Sequence, residues 1–183
     1  MGRLMLINGA PGSGKSTLAR RYIQDHPLTL ALDVDQVRGM LGRWLDTPTE
    51  AGLLARHMAI EMARVHLGAG HDVVVPQFLG RLDFIVTLQR MCEQVNAELV
   101  EVVLLSSPDE AATRFARRSD QSTIAEHQDA ATLVERSGGP DVLRDIYRRL
   151  LAVVAARPAT RTVVTVDGEV DQAYAVLLRV IRR

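Results

Sequence analysis

Residues 9–16 read Gly9-Ala10-Pro11-Gly12-Ser13-Gly14-Lys15-Ser16, a match to the pattern G-x-x-x-x-G-K-[ST]. The chemistry is phosphate binding. Gly9, Gly12 and Gly14 allow backbone dihedrals that other residues resist, so main-chain N–H groups can crowd an anion. A helix beginning at Ser16 would add its own N-terminal N–H groups. Lys15 is a compact charge for the β and γ phosphates of a nucleoside triphosphate. Ser16 offers a hydroxyl to Mg²⁺, and Thr17 is placed to touch the α phosphate. Of the 22 basic side chains other than histidine, only Lys15 is a lysine. A coding bias toward arginine explains most of that. The one lysine kept still points to a site that refuses a guanidinium. The plainer reading is a Gly-rich turn joining a strand to a helix, but the flanking pattern of apolar strand and amphipathic helix is the context the motif needs.

A second group of residues suits an acceptor. Asp33 and Asp35 end the second apolar run, and residues two apart on a strand share a face. Both carboxylates are expected at the sheet edge beside the phosphate loop. Asp33 is assigned to the metal side, together with Ser16, and Asp35 to the role of general base. The plainer reading makes Asp35 a helix N-cap and leaves Asp33 solvated. Arg38, one turn after Asp35, suits a polar or anionic acceptor, with Arg43 and Trp44 near the same pocket. Gln77 ends the third strand, where an acid is usual, so it and Arg81 become candidate acceptor contacts.

A third group is cationic. Arg114, Arg117 and Arg118 end a helix that precedes a polar segment, and 114–139 reads as a lid. An arginine closing over the transferred group would stabilise its charge and exclude water. Arg114 and Arg118 are the candidate nucleotide contacts, with Arg118 catalytic. Their plainer role is to complement a helix C-terminus. The five histidines show no metal-ligand spacing, and His57 with Glu61 reads as a surface pair.

These residues need a scaffold, and the chain alternates strand and helix. Strands are expected at Leu4–Asn8, Leu28–Val34, Asp72–Pro76, Leu99–Leu105 and Arg161–Val166. Helices are expected at Ser16–Asp25, Gln36–Leu45, from beyond a Thr47–Thr49 loop to Leu67, Gly80–Asn96, Pro108–Arg118, Pro140–Ala156 and Val170–Arg183. Near-continuous apolar strands alternating with helices imply a parallel sheet covered on both faces. Ligands of such sheets bind beyond the carboxyl ends of the strands, where every group above falls.

A chain of 183 residues suits one domain, here 1–183. Its zero net charge provides no global field for nucleic acid or an anionic membrane. No stretch has the roughly 20 apolar residues of a membrane span. The single cysteine, Cys92, and the lack of a signal-peptide pattern fit a cytoplasmic setting.

The stretch GAPGSGKSTLAR, the Asp35 and Arg38 spacing and the arginine lid resemble the kinase domain of phage polynucleotide 5′-hydroxyl kinases and related small kinases of bacteria. The likeness runs over roughly residues 3–150, through Asp141-Val142-Leu143-Arg144 and Tyr147. The chain is also similar in outline to chloramphenicol phosphotransferases and to gluconate and shikimate kinases. The resemblance implies a P-loop sandwich with five parallel strands in the order 2-3-1-4-5. It implies Lys15 and Ser16 on phosphates and metal, Asp35 as base, Arg38 on an acceptor phosphate and Arg118 on the donor. Adenine would lie near Val166 to Glu169. Gln77 departs from that family's acid after the third strand. The expected activity is ATP- and Mg²⁺-dependent phosphorylation of a small-molecule hydroxyl by a monomer or homodimer. The second reading is a polynucleotide 5′-hydroxyl kinase, which neutral charge and the lack of aromatic-basic interleaving weaken. The third is a regulatory nucleotide-binding module without transfer chemistry.

Overall fold

Alternate residues of the first strand go to different cores. In the computed structural model, which describes residues 1–106, 110, 113 and 140–182, strand β1 spans Arg3–Gly9. Leu4 and Leu6 join one buried cluster, Met5 and Ile7 the other. This is the period of two of a strand covered on both faces. Each of these side chains, removed from water, contributes on the order of 1.5–3 kcal/mol.

The remaining elements follow in order. They are α1 (Lys15–Asp25), β2 (Leu30–Ala31), α2 (Val34–Gly39), a short 3-10 turn (Trp44–Asp46), α3 (Pro48–Gly68) and β3 (Val73–Pro76). Then come α4 (Asp83–Gln94), β4 (Glu98–Leu105), α5 (Pro140–Ala156), β5 (Arg161–Val164) and α6 (Val170–Ile181). All pairings are parallel, and the sheet runs β2-β3-β1-β4-β5. Leu4 lies beside Val73 on one side and Leu99 on the other. Helices α3 and α4 bury Ala55, Ala59, Ala63, Ile85 and Leu88 against one face. On the other face, α1 and α6 bury Leu18, Tyr22, Tyr174 and Leu177. Among the described residues no helix is long and apolar enough to cross a membrane.

Several boundaries differ from the expected ones. The second strand is two residues long, not seven. It is an edge strand tied to β3 by Leu30 N–H to Asp72 O (2.9 Å) and Leu32 N–H to Val74 O (2.8 Å). The chain then turns into α2 at once, because Asp33 caps it. The helix expected over Gln36–Leu45 ends at Gly39, and Arg43 adopts a left-handed φ of 51°. Pro48 opens α3 rather than lying in a loop, as proline suits a first helical turn. The helix expected at Pro108–Arg118 and the lid at 114–139 lie outside the described residues, apart from Glu110 and Thr113.

Because all five strands are parallel, the turns after β1, β2, β3 and β4 leave one edge of the sheet. The phosphate loop, the acid pair and Gln77 therefore share that edge.

Candidate functional site

The loop between β1 and α1 is a cradle of main chain. Gly12 and Gly14 have φ of 82° and 93°, the left-handed region that glycine enters without strain. Gly9 has no room for a side chain: a Cβ would lie 2.5 Å from Ser13 Oγ and 3.0 Å from the Leu104 carbonyl oxygen. Gly14 is the N-cap of α1 and supplies no side-chain acceptor. With no side-chain cap, the first turn of α1 presents its N–H groups at the loop. Lys15 Nζ donates to Ala10 O at 2.9 Å, across the loop. The Ser13 hydroxyl is buried with no partner among the described residues. Ser16 is half-buried behind Lys15, Thr17 is exposed, and Pro11 is half-buried at the loop's turn.

These features fit a polyphosphate: a helix start without a side-chain cap, one lysine and glycines at the close approaches. Ser16 and Asp33 are the candidate Mg²⁺ holders.

Across the edge, Asp33 is the N-cap of α2, and its Oδ1 accepts from Asp35 N–H at 3.0 Å. The cap is Asp33, not Asp35. The two acids are therefore not strand neighbours on one face: Asp33 closes the strand and Asp35 lies in the first helical turn. Burial, then the neighbouring Asp35, raise the Asp33 pKa above the usual carboxylate value. The Lys15 ammonium and two backbone N–H groups pull the other way. Lys15 thus acts electrostatically on Asp33, which joins the phosphate loop to the acid pair.

Arg38 is held from two sides. Its NH2 pairs with Asp35 Oδ1 at 2.9 Å, and its guanidinium carbon lies 4.3 Å from the Trp44 ring centre. Arg38 Nε is buried with no partner among the described residues. Trp44 is buried, whereas Arg43 points to solvent and pairs with Asp46 at 2.7 Å. Of that expected pair, only Trp44 touches Arg38. Gln77 sits at the end of β3, its N–H bonded to Ile7 O at 3.1 Å. Its Oε1 is buried and has no partner among the described residues. Arg81 lies exposed, just before α4. Glu61 pairs with Arg64 rather than with His57. Arg114, Arg117 and Arg118 lie outside the described residues. The Val166–Glu169 turn follows β5 on the same edge, with Gly168 at a φ of 79°.

Sequence reading missed one residue. Asn8 is buried, and its Oδ1 accepts from Gly9 N–H (2.8 Å) and Leu79 N–H (2.9 Å) while Nδ2 donates to Leu79 O (3.0 Å). It ties the start of the phosphate loop to the turn after β3. Its one sequence signal is a polar residue ending an apolar strand.

The family model described as AAA domain matches residues 4–137. An uncharacterized protein of Mycobacterium tuberculosis and one of Mycobacterium bovis are each 29% identical over 151 residues. That is 76% of this chain but only 30% of the relatives' length, so the chain spans less than a third of them. Among solved structures, a gluconokinase from Sinorhizobium meliloti superposes with a TM-score of 0.62 at 16% identity, covering 98% of this chain and 94% of that one. A candidate kinase from Chloroflexus aurantiacus gives 0.68 at 16% identity, covering 99% and 94%. At such identities the likeness is one of fold.

Proposed function

Since the chain belongs to the AAA domain family and has a P-loop kinase fold, we propose that it is an ATP-dependent kinase that transfers the γ-phosphate to a hydroxyl of a small molecule. The observation that carries this reading is the meeting of two functions on one sheet edge. A glycine-rich loop ends β1 and an acid pair follows β2, on one edge of an all-parallel sheet.

In the proposed reaction the acceptor hydroxyl gives its proton to Asp35 as its oxygen bonds to the γ phosphorus and the bond to ADP breaks. Arg38 holds the Asp35 carboxylate in place through their ion pair. Lys15 turns from the Ala10 carbonyl to the β and γ phosphates. Mg²⁺, when bound by Ser16 and Asp33, would neutralise phosphate charge. Gln77 carries a buried oxygen, without a partner among the described residues, that can accept from the acceptor. Arg114 and Arg118 are assigned to the donor phosphates. The zero net charge favours a small molecule over a nucleic acid strand.

The test is transfer of labelled γ-phosphate to a panel of alcohols, sugars, antibiotics and 5′-hydroxyl oligonucleotides. Asp35→Asn is expected to lose about 10²- to 10⁴-fold in transfer rate while keeping its Mg-ATP affinity, as for loss of a general base. Full transfer by Asp35→Asn would remove the base from the mechanism. If Mg-ATP gives no calorimetric heat, or Lys15→Ala binds it like the parent, the chain is not a kinase.

A further inference from the structure

An acceptor must have somewhere to sit, and a groove of about 530 Å³ opens where the turn after β3 meets α3, α4 and α5. Its walls include the rings of Phe78 and Phe84. Among the described residues its charged lining is Arg56, Arg81, Arg149 and one carboxylate, Asp83. Cations therefore outnumber acids around an apolar floor.

The groove adjoins the phosphate loop. Phe78 packs in the cluster that contains Ala10 of that loop and Leu150 of α5. The next residue, Leu79, has both main-chain groups bonded to the Asn8 side chain, which also holds Gly9 N–H. Gly80 keeps α5 close: a Cβ there would lie 2.8 Å from the Phe78 ring and 3.1 Å from Arg149 Cβ. Arg149 is steadied by Asp145 at 2.5 Å, a carboxylate it shares with Arg148. The Arg56 guanidinium lies 5.9 Å from the Phe84 ring centre, against the groove wall. Arg81 is exposed and makes no ion pair among the described residues.

We propose that this groove is the acceptor site, and that the acceptor is an anion with an apolar body, held by Arg56 and Arg81 and packed against Phe78 and Phe84. The proposal rests on the kinase reading, which makes the groove's occupant the phosphate acceptor. Guanidinium groups bind carboxylate and phosphate in a fork, with two parallel hydrogen bonds. A neutral alcohol would strip water from those arginines and give no charge in return. The two rings reward apolar area, which a bare sugar lacks.

The test is displacement of 8-anilinonaphthalene-1-sulfonate from the full chain, with Mg²⁺ and a non-hydrolysable ATP analogue filling the phosphate loop. The competitors are 1-naphthoate, 1-naphthyl phosphate and neutral 1-naphthalenemethanol, which carry one ring system with three head groups. At least one anion is expected to compete about tenfold better than the alcohol, and the stronger of the two identifies the head group. Arg81→Gln and Arg56→Gln are expected to cut that preference to about threefold or less. An alcohol that competes as well as both anions, or variants that keep the full preference, would overturn the proposal. Calorimetry of the parent with Mg-ATP separates the two failures. Heat without anion preference leaves the kinase and removes the groove; anion preference without heat leaves an anion-binding groove but removes the kinase and, with it, the acceptor role.

Discussion

Two parts of the same sheet edge are held in unlike ways. From Gly9 to Lys15 the geometry lies in the backbone: positive φ at Gly12 and Gly14, no room for a Cβ at Gly9 and no side-chain cap on α1. From Asp33 to Arg38, and from Gln77 to Arg81, it lies in side chains: a carboxylate cap, an arginine stacked on Trp44 and an amide oxygen with no partner among the described residues. Backbone geometry tolerates little. A methyl group in the wrong place deforms it, whereas a side-chain network can lose one member and keep the rest. A phosphate end of the first kind suits a ligand that never changes. The proposed acceptor end, of the second kind, can be retuned one residue at a time.

The largest expected effect on nucleotide binding lies on the backbone side. In Gly9→Ala the new Cβ would sit 2.5 Å from Ser13 Oγ and 3.0 Å from the Leu104 carbonyl. Overpacking of this kind costs about 1–3 kcal/mol. The loop must shift to relieve it, so Mg-ATP affinity should fall by about tenfold or more, the equivalent of about 1.4 kcal/mol. Urea denaturation and calorimetry read the two effects. If the variant binds Mg-ATP like the parent, the loop is not as rigid as the contrast requires.

The next variant asks whether the two ends are separable. Asn8→Ala leaves three buried main-chain groups short of a partner: Gly9 N–H, Leu79 N–H and Leu79 O. Each unsatisfied group costs about 1–3 kcal/mol, and partial relaxation should hold the total near 3 kcal/mol. Mg-ATP affinity and 8-anilinonaphthalene-1-sulfonate affinity should fall together, because Asn8 ties both turns. A fall in one alone would show that the two ends are positioned independently.

The phosphate end was legible in the sequence for the reason it is rigid. Glycines with required φ and one lysine leave a fixed spacing between residues 9 and 16. The alternation of strand and helix was legible too, since buried parallel strands must be apolar throughout; the strand order came from the resemblance. The acceptor end was less so. Asp33 and Asp35 read as strand neighbours because the apolar run from Leu28 hides where pairing stops. An edge strand of two residues looks the same in sequence as a longer one, and the cap that ends it is one side-chain hydrogen bond. Of the Arg56, Arg81 and Arg149 groove, only Arg81 was read as an acceptor contact, and the groove itself was not. Its members come from three elements, and packing of Phe78 and Gly80 against α5 brings that helix over the turn.

The smallest expected effect is the most diagnostic for the acid pair. The Asp33 pKa is raised, first by burial and then by Asp35. A raised pKa means that the folded chain holds the proton more tightly than the unfolded one. The stability this lends is fully present below the unfolded value near 3.8 and is lost as pH rises through the folded value. Above its folded value the parent therefore carries an ionised Asp33 at a cost. Asn caps a helix about as well as Asp and keeps an oxygen for Asp35 N–H. Asp33→Asn should thus have the higher Tm at pH 7, with the gap closing as pH is lowered toward about 4. With saturating Mg-ATP the order should reverse, since a carboxylate on the metal side adds ligand stabilisation that the amide cannot match. If Asp33→Asn is the more stable at pH 7 and also binds Mg-ATP as tightly as the parent, Asp33 is a cap and nothing more, and Ser16 alone remains on the metal side.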